Sequence, residues 1–104
     1  TPATALVLRS LAERAARHAV QFDKGAANPR LFTVIDDENE DDSDTINEQL
    51  RAMVLRVFGL AGADADADVT ALRTLYDNVA AAGADRAWEV VLSAMLQDSR
   101  VLFY

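Results

Sequence analysis

The chain contains no cysteine. That excludes disulfides, thiolate metal sites, thiol nucleophiles and covalent haem attachment within its 104 residues. No apolar run approaches the roughly 20 residues needed to span a bilayer, so membrane insertion is not expected. Bases are outnumbered, 10 Lys and Arg against 17 Asp and Glu, for a net charge of −7. Such a balance argues against non-specific binding to nucleic acid or to an anionic membrane surface. No secretory signal peptide is visible, and the opening Thr1-Pro2 without Met predicts processing upstream.

Histidine occurs once, at His18. Flanked by Arg14 and Arg17, it reads as a surface residue rather than a metal or haem ligand. Met53 and Met95, conceivable as axial partners, fall on helical apolar stripes and read as core. Neither a Ser–His–Asp arrangement, nor a Gly-rich phosphate loop, nor a pair of inward-facing helical carboxylates can be assembled. An active site contained wholly in this chain is therefore not expected.

What the chain does have is apolar, helix-forming residues and one dense block of acid. The apolar fraction is 51%, much of it Ala, which suits close-packed helices in a single domain. Charge is unevenly placed: +3 over residues 1–30, −9 over 31–68 and −1 over 69–104. Seven of the nine residues from Asp36 to Asp44 are carboxylates, with no Lys or Arg among them. Packed like charges repel, so this run must be solvated, bound to a cation, or faced by a basic partner. The basic opening segment of the same chain is one such partner.

Apolar periodicity predicts an all-α fold, a small four-helix bundle with a long acidic loop between its first two helices. The first helix spans about 4–20, with Leu8, Leu11, Ala12, Ala15, Ala19 and Phe22 on one face. The second spans about 45–58, opened by a Thr45–Glu48 capping box and carrying Ile46, Leu50, Met53, Val54 and Val57 inward. The third, about 68–82, starts at an Asp66 or Asp68 cap and buries Val69, Leu72, Leu75, Tyr76 and Val79. The fourth, about 85–98, carries Trp88, Val91, Leu92, Met95 and Leu96. The turn at Gly83-Ala84 makes the last two an antiparallel pair, with Tyr76 and Trp88 as packing anchors on facing helices. Residues 23–44 form an unusually long connection. Its β-prone part, Leu31 to Ile35, is expected to tuck against the bundle and leave the acidic part projecting.

The acidic run also has partial calcium-loop spacing. Counted from Asp37, ligand-type residues fall at Asp37, Asn39, Asp41, Ser43, Thr45 and Glu48. The sixth position is Asp42 where the sharp turn wants Gly, and the eighth is Asp44 where an aliphatic residue is usual. Asp37, Asn39, Asp41 and Glu48 are thus the candidate metal ligands. The second acidic stretch, Asp64 to Asp68, lacks both turn and clamp and reads as a capping linker. At the other end, Val101, Leu102, Phe103 and Tyr104 form an abrupt apolar terminus. It predicts a longer parent chain, or an interface with another chain.

The segment Leu72-Arg73-Thr74-Leu75-Tyr76-Asp77, followed by Gly83 to Tyr104, resembles a helical module of uncharacterised function. That module occurs in large secreted proteins of planctomycetes and myxobacteria, often beside c-type cytochrome domains. Leu11 to Arg17 is similar to the Arg-rich helix that opens it, and together these cover about half of the chain. The resemblance implies a periplasmic or extracellular module packing against sibling domains, with any haem in a partner domain or chain. It supplies no catalytic residues. Two readings follow: a non-catalytic assembly module whose partner is another protein chain or sibling domain, and a calcium-stabilised binding module using the acidic loop.

Overall fold

The computed structural model describes residues 2–102 and is all-α, with no strand among them. Four main helices appear: α1 (Pro2–Phe22), α2 (Ser43–Phe58), α3 (Asp66–Val79) and α4 (Ala84–Leu96). A final turn, α5 (Ser99–Leu102), follows, and short 3₁₀ turns precede and follow α3 at Gly62–Ala65 and Ala80–Ala82. Pro2 opens α1, where its missing N–H costs nothing. α2 ends on Gly59, whose left-handed φ of 72° lets its N–H return to the Leu55 carbonyl.

The helices pack in the order α1, α4, α3, α2, and α1 makes no substantial contact with α2. The extended segment 31–35 supplies what a fifth helix would otherwise provide. Phe32 and Ile35 are fully buried in the same core cluster as α2 and α4. Trp88 is the hub. Its ring meets Phe32 edge-on at 5.5 Å and Tyr76 at 5.0 Å, so it joins the connection, α3 and α4. Met53 and Met95 fill the core beside it. Trp88 Nε1 is buried without a hydrogen-bond partner among the described residues.

Two local expectations are corrected. The α2 cap is Asp42 rather than Thr45: Asp42 Oδ2 accepts from Thr45 N at 2.9 Å and from Thr45 Oγ1 at 2.7 Å. A charged carboxylate is a stronger acceptor than the Thr hydroxyl, and the helix starts earlier as a result. Nor do Asp66 and Asp68 cap α3. Asp66 instead pairs with Arg51 at 2.5 Å, and Asp68 forks onto Arg100 at 2.9 and 3.1 Å.

The larger correction concerns α1. The expected inward face was Leu8, Leu11, Ala12, Ala15, Ala19 and Phe22. Of these, Ala12 is buried and Ala19 partly covered, but the rest of the buried face is Ala16 and Val20, while Leu11 is 55% and Phe22 61% exposed. The helix approaches α4 on its smallest side chains, which permits close contact between the two backbones. The bulky residues then lie about a third of a turn away, on the outside.

Candidate functional site

Asp23 and Lys24, just past the end of α1, organise the long connection. The Asp23 carboxylate accepts the backbone N–H groups of Arg30 at 2.7 Å, Leu31 at 3.0 Å and Phe32 at 2.8 Å. Burial works against its charge, but these three donors outweigh that and hold its pKa below the ordinary value. Gln49 of α2 completes the clamp. Its Oε1 accepts from Val34 N at 2.9 Å and Ile35 N at 3.0 Å, and its Nε2 donates to the Leu31 carbonyl at 2.7 Å. A segment that belongs to no sheet thereby has its buried backbone groups satisfied by side chains.

Lys24 is the only lysine in the chain. Its side chain is 1% exposed and its ammonium lies 2.6 Å from Glu40, 2.5 Å from Asp85 and 3.6 Å from Asp37. Desolvation disfavours the charged form, yet hydrogen bonds to Asp85 and Glu40 more than offset it, and the pKa is raised. The amine is therefore held protonated and is unsuited to act as base or nucleophile. An ammonium with three donors on one point suits three converging carboxylates better than a planar guanidinium would.

This cluster decides how the acidic run is arranged. Asp37 and Glu40 turn to Lys24, and Asp42 caps α2. Asp36 and Asn39 close a tight turn, with Asp36 Oδ1 accepting from Asn39 N and Asn39 Oδ1 from Asp36 N. The remaining acids, Glu38, Asp41 and Asp44, are exposed. Among the described residues, Asp37, Asp41 and Glu48 do not form one carboxylate group. Of the four candidate ligands, Asp37 alone joins a three-carboxylate group, with Glu40 and Asp85, and Lys24 already occupies the centre of that group. Lys24 offsets only part of the run's charge, one cation against Asp37 and Glu40. The signal available in the sequence was a solitary lysine among arginines; for Gln49 it was a polar residue at a core position between Ile46 and Leu50.

At the other end, Arg100 stacks over Phe58 at 4.0 Å and bonds both Asp68 and Asp98, which ties α5 to α2 and α3. Val101 is half-buried there. The side chain of Leu102, together with Phe103 and Tyr104, lies outside the described residues.

The unpartnered surface is on α1. Six large apolar side chains are exposed among the described residues, and five belong to this helix: Leu6, Val7, Leu8, Leu11 and Phe22. Leu8, Leu11, Ala15, His18 and Phe22 follow alternating spacings of three and four, the pattern of a helix-pairing seam. His18 packs on Phe22 with ring centroids 4.6 Å apart. Both help line a shallow hollow of about 400 Å³, together with Ala19, Asp23, Leu31, Arg30 and Arg56. A second hollow of about 370 Å³, between α1 and α4, is lined by charges that pair locally, Arg9 with Glu13 and Arg86 with Glu89. Its Ser93 hydroxyl accepts from Gln97 at 3.0 Å and faces no histidine. Neither hollow joins a nucleophile to a base.

No protein-family model matches the chain, and neither a curated protein nor a solved structure is similar to it.

Proposed function

We propose that this chain is a non-catalytic helical interaction module that binds another protein chain or a sibling domain through the outward face of α1. The observation carrying this reading is the seam Leu8, Leu11, Ala15, His18 and Phe22, which is spaced for helix pairing yet exposed along its length. Leaving Leu11 and Phe22 more than half exposed forgoes on the order of 1–2 kcal/mol for each side chain, a loss that a partner would recover. The rest of the molecule serves as a rigid mount. Asp23, Lys24 and Gln49 fix the connection, and Arg100 fixes the last turn. The reading rests on this surface alone, not on the secreted, cytochrome-linked setting that the resemblance implies.

A synthetic amphipathic helix of about three heptads, with Leu at the seam positions and neutral Gln beside them, is the direct probe. Fluorescence anisotropy is expected to show saturable binding to the wild-type chain below about 100 μM, and none to a Leu11→Gln, Phe22→Gln variant. Equal binding to both chains, or to neither, would overturn the reading.

A further inference from the structure

The charges around the α1 seam are placed differently from those elsewhere in the chain. Six of the ten basic residues form ion pairs: Arg9, Lys24, Arg51, Arg73, Arg86 and Arg100. The four that form none among the described residues are Arg14, Arg17, Arg30 and Arg56. Arg14 lies one position before Ala15, at the edge of the seam, while Arg30 and Arg56 line the hollow with Phe22 and His18. Asp23 is the one carboxylate lining that hollow; its two oxygens accept backbone N–H groups and its charge attracts Arg30, with which it forms no ion pair. An acidic protein of net charge −7 thus keeps three of its four arginines without ion pairs, Arg14, Arg30 and Arg56, beside its exposed apolar face, while the fourth, Arg17, lines the hollow between α1 and α4.

Flanking charges select the partner of a helix seam, and desolvating an arginine against apolar surface is favourable only when a carboxylate meets it. Resting on the interaction-module reading above, we infer that the α1 face takes an acidic amphipathic helix of another protein, its apolar stripe on Leu8, Leu11, Ala15 and Phe22 and its carboxylates on Arg14, Arg30 and Arg56. A second copy of this chain fits poorly. Antiparallel self-pairing centred on Ala15 sets the two copies' Arg14 side chains together, and parallel self-pairing lays two helices side by side that each carry Arg9, Arg14 and Arg17 against Glu13 alone. A basic helix would bring like charge onto all three arginines.

The test uses two peptides with the same Leu seam, one flanked by Glu and one by Lys, titrated against the full chain by fluorescence anisotropy. The acidic peptide is expected to bind at least about tenfold more tightly than the basic one, and Arg14→Glu, Arg30→Glu, Arg56→Glu together should invert that order. Circular dichroism confirms that the triple variant keeps its helices. Equal affinity for the two signs, with the neutral peptide still bound, overturns the acidic partner and leaves the interaction module standing. Binding of none of the three peptides overturns both. A concentration-dependent dimer in sedimentation, abolished by Leu11→Gln, overturns the acidic partner in favour of a second copy.

Discussion

The Lys24 ammonium donates to Asp85 at 2.5 Å across 61 positions of sequence, joining the end of α1 to the first turn of α4. Glu40 reaches the same ammonium from the acidic run, so one buried cation pins the long connection to the bundle. Replacing Lys24 with Met removes the cation and leaves three carboxylates facing one another. Breaking a buried pair costs several kcal/mol, but Asp37 and Asp85 are largely exposed and solvent screens them. Chemical denaturation should show a loss of about 2 kcal/mol. Millimolar calcium is expected to leave the melting temperature of the wild-type chain unchanged, because the ammonium already occupies the point where the three carboxylates converge.

Gln49→Leu strips partners from three backbone groups, Val34 N, Ile35 N and the Leu31 carbonyl, in a segment whose Phe32 and Ile35 are buried. At roughly 1 kcal/mol or more for each orphaned group, the expected loss is about 3 kcal/mol. Hydrogen exchange at the Val34 and Ile35 amides should accelerate far more than at α3. An unchanged rate there would show that Gln49 does not hold the segment.

Acid sensitivity should trace in part to Asp23. Its pKa is lowered in the folded state, so the stability it contributes is fully present above its ordinary value of 3.8 and is lost as pH falls through the lower folded value. Asp23→Asn should therefore lower stability at pH 7 and flatten the stability curve below about pH 4. Lys24 works in the opposite sense. Its raised pKa gives stability that is intact below its ordinary 10.5 and fades only as pH climbs through the folded value above that.

The two apolar faces of α1 should respond differently to substitution. Leu11→Gln keeps helix propensity and alters an exposed position, so stability should move by no more than about 0.5 kcal/mol. Ala16→Leu forces bulk between α1 and α4 where Ala16 is fully buried, and should cost about 1–3 kcal/mol. The reverse ranking would mean that α1 is seated on its Leu face after all.

Helix number and order were legible because apolar spacing on α2, α3 and α4 has one strong stripe each, and Trp88, Tyr76, Met53 and Met95 lie on those stripes and are buried. The tuck of Leu31 to Ile35 was legible from its β-prone, apolar make-up. The facing of α1 was not. An Ala-rich helix offers two apolar faces, and hydropathy favours the bulky one, whereas close packing on α4 favoured the small one. The roles of Lys24 and Gln49 were hidden for another reason. Each bonds groups 14 or more positions away, and local pattern carries no information about such pairs. Asp42 was missed because four capping residues, Asp42, Ser43, Asp44 and Thr45, compete within one turn, and only geometry decides among them.

Amide chemical-shift mapping of the ¹⁵N-labelled chain during titration with the Glu-flanked peptide tests the central claim most directly. The account predicts shifts concentrated at Val7, Leu8, Leu11, Ala15, His18 and Phe22, extending to Arg30 and Arg56, with α3 unaffected. Shifts centred on Asp36–Asp44 or on the turn from Ser99 to Leu102, with α1 silent, would contradict it.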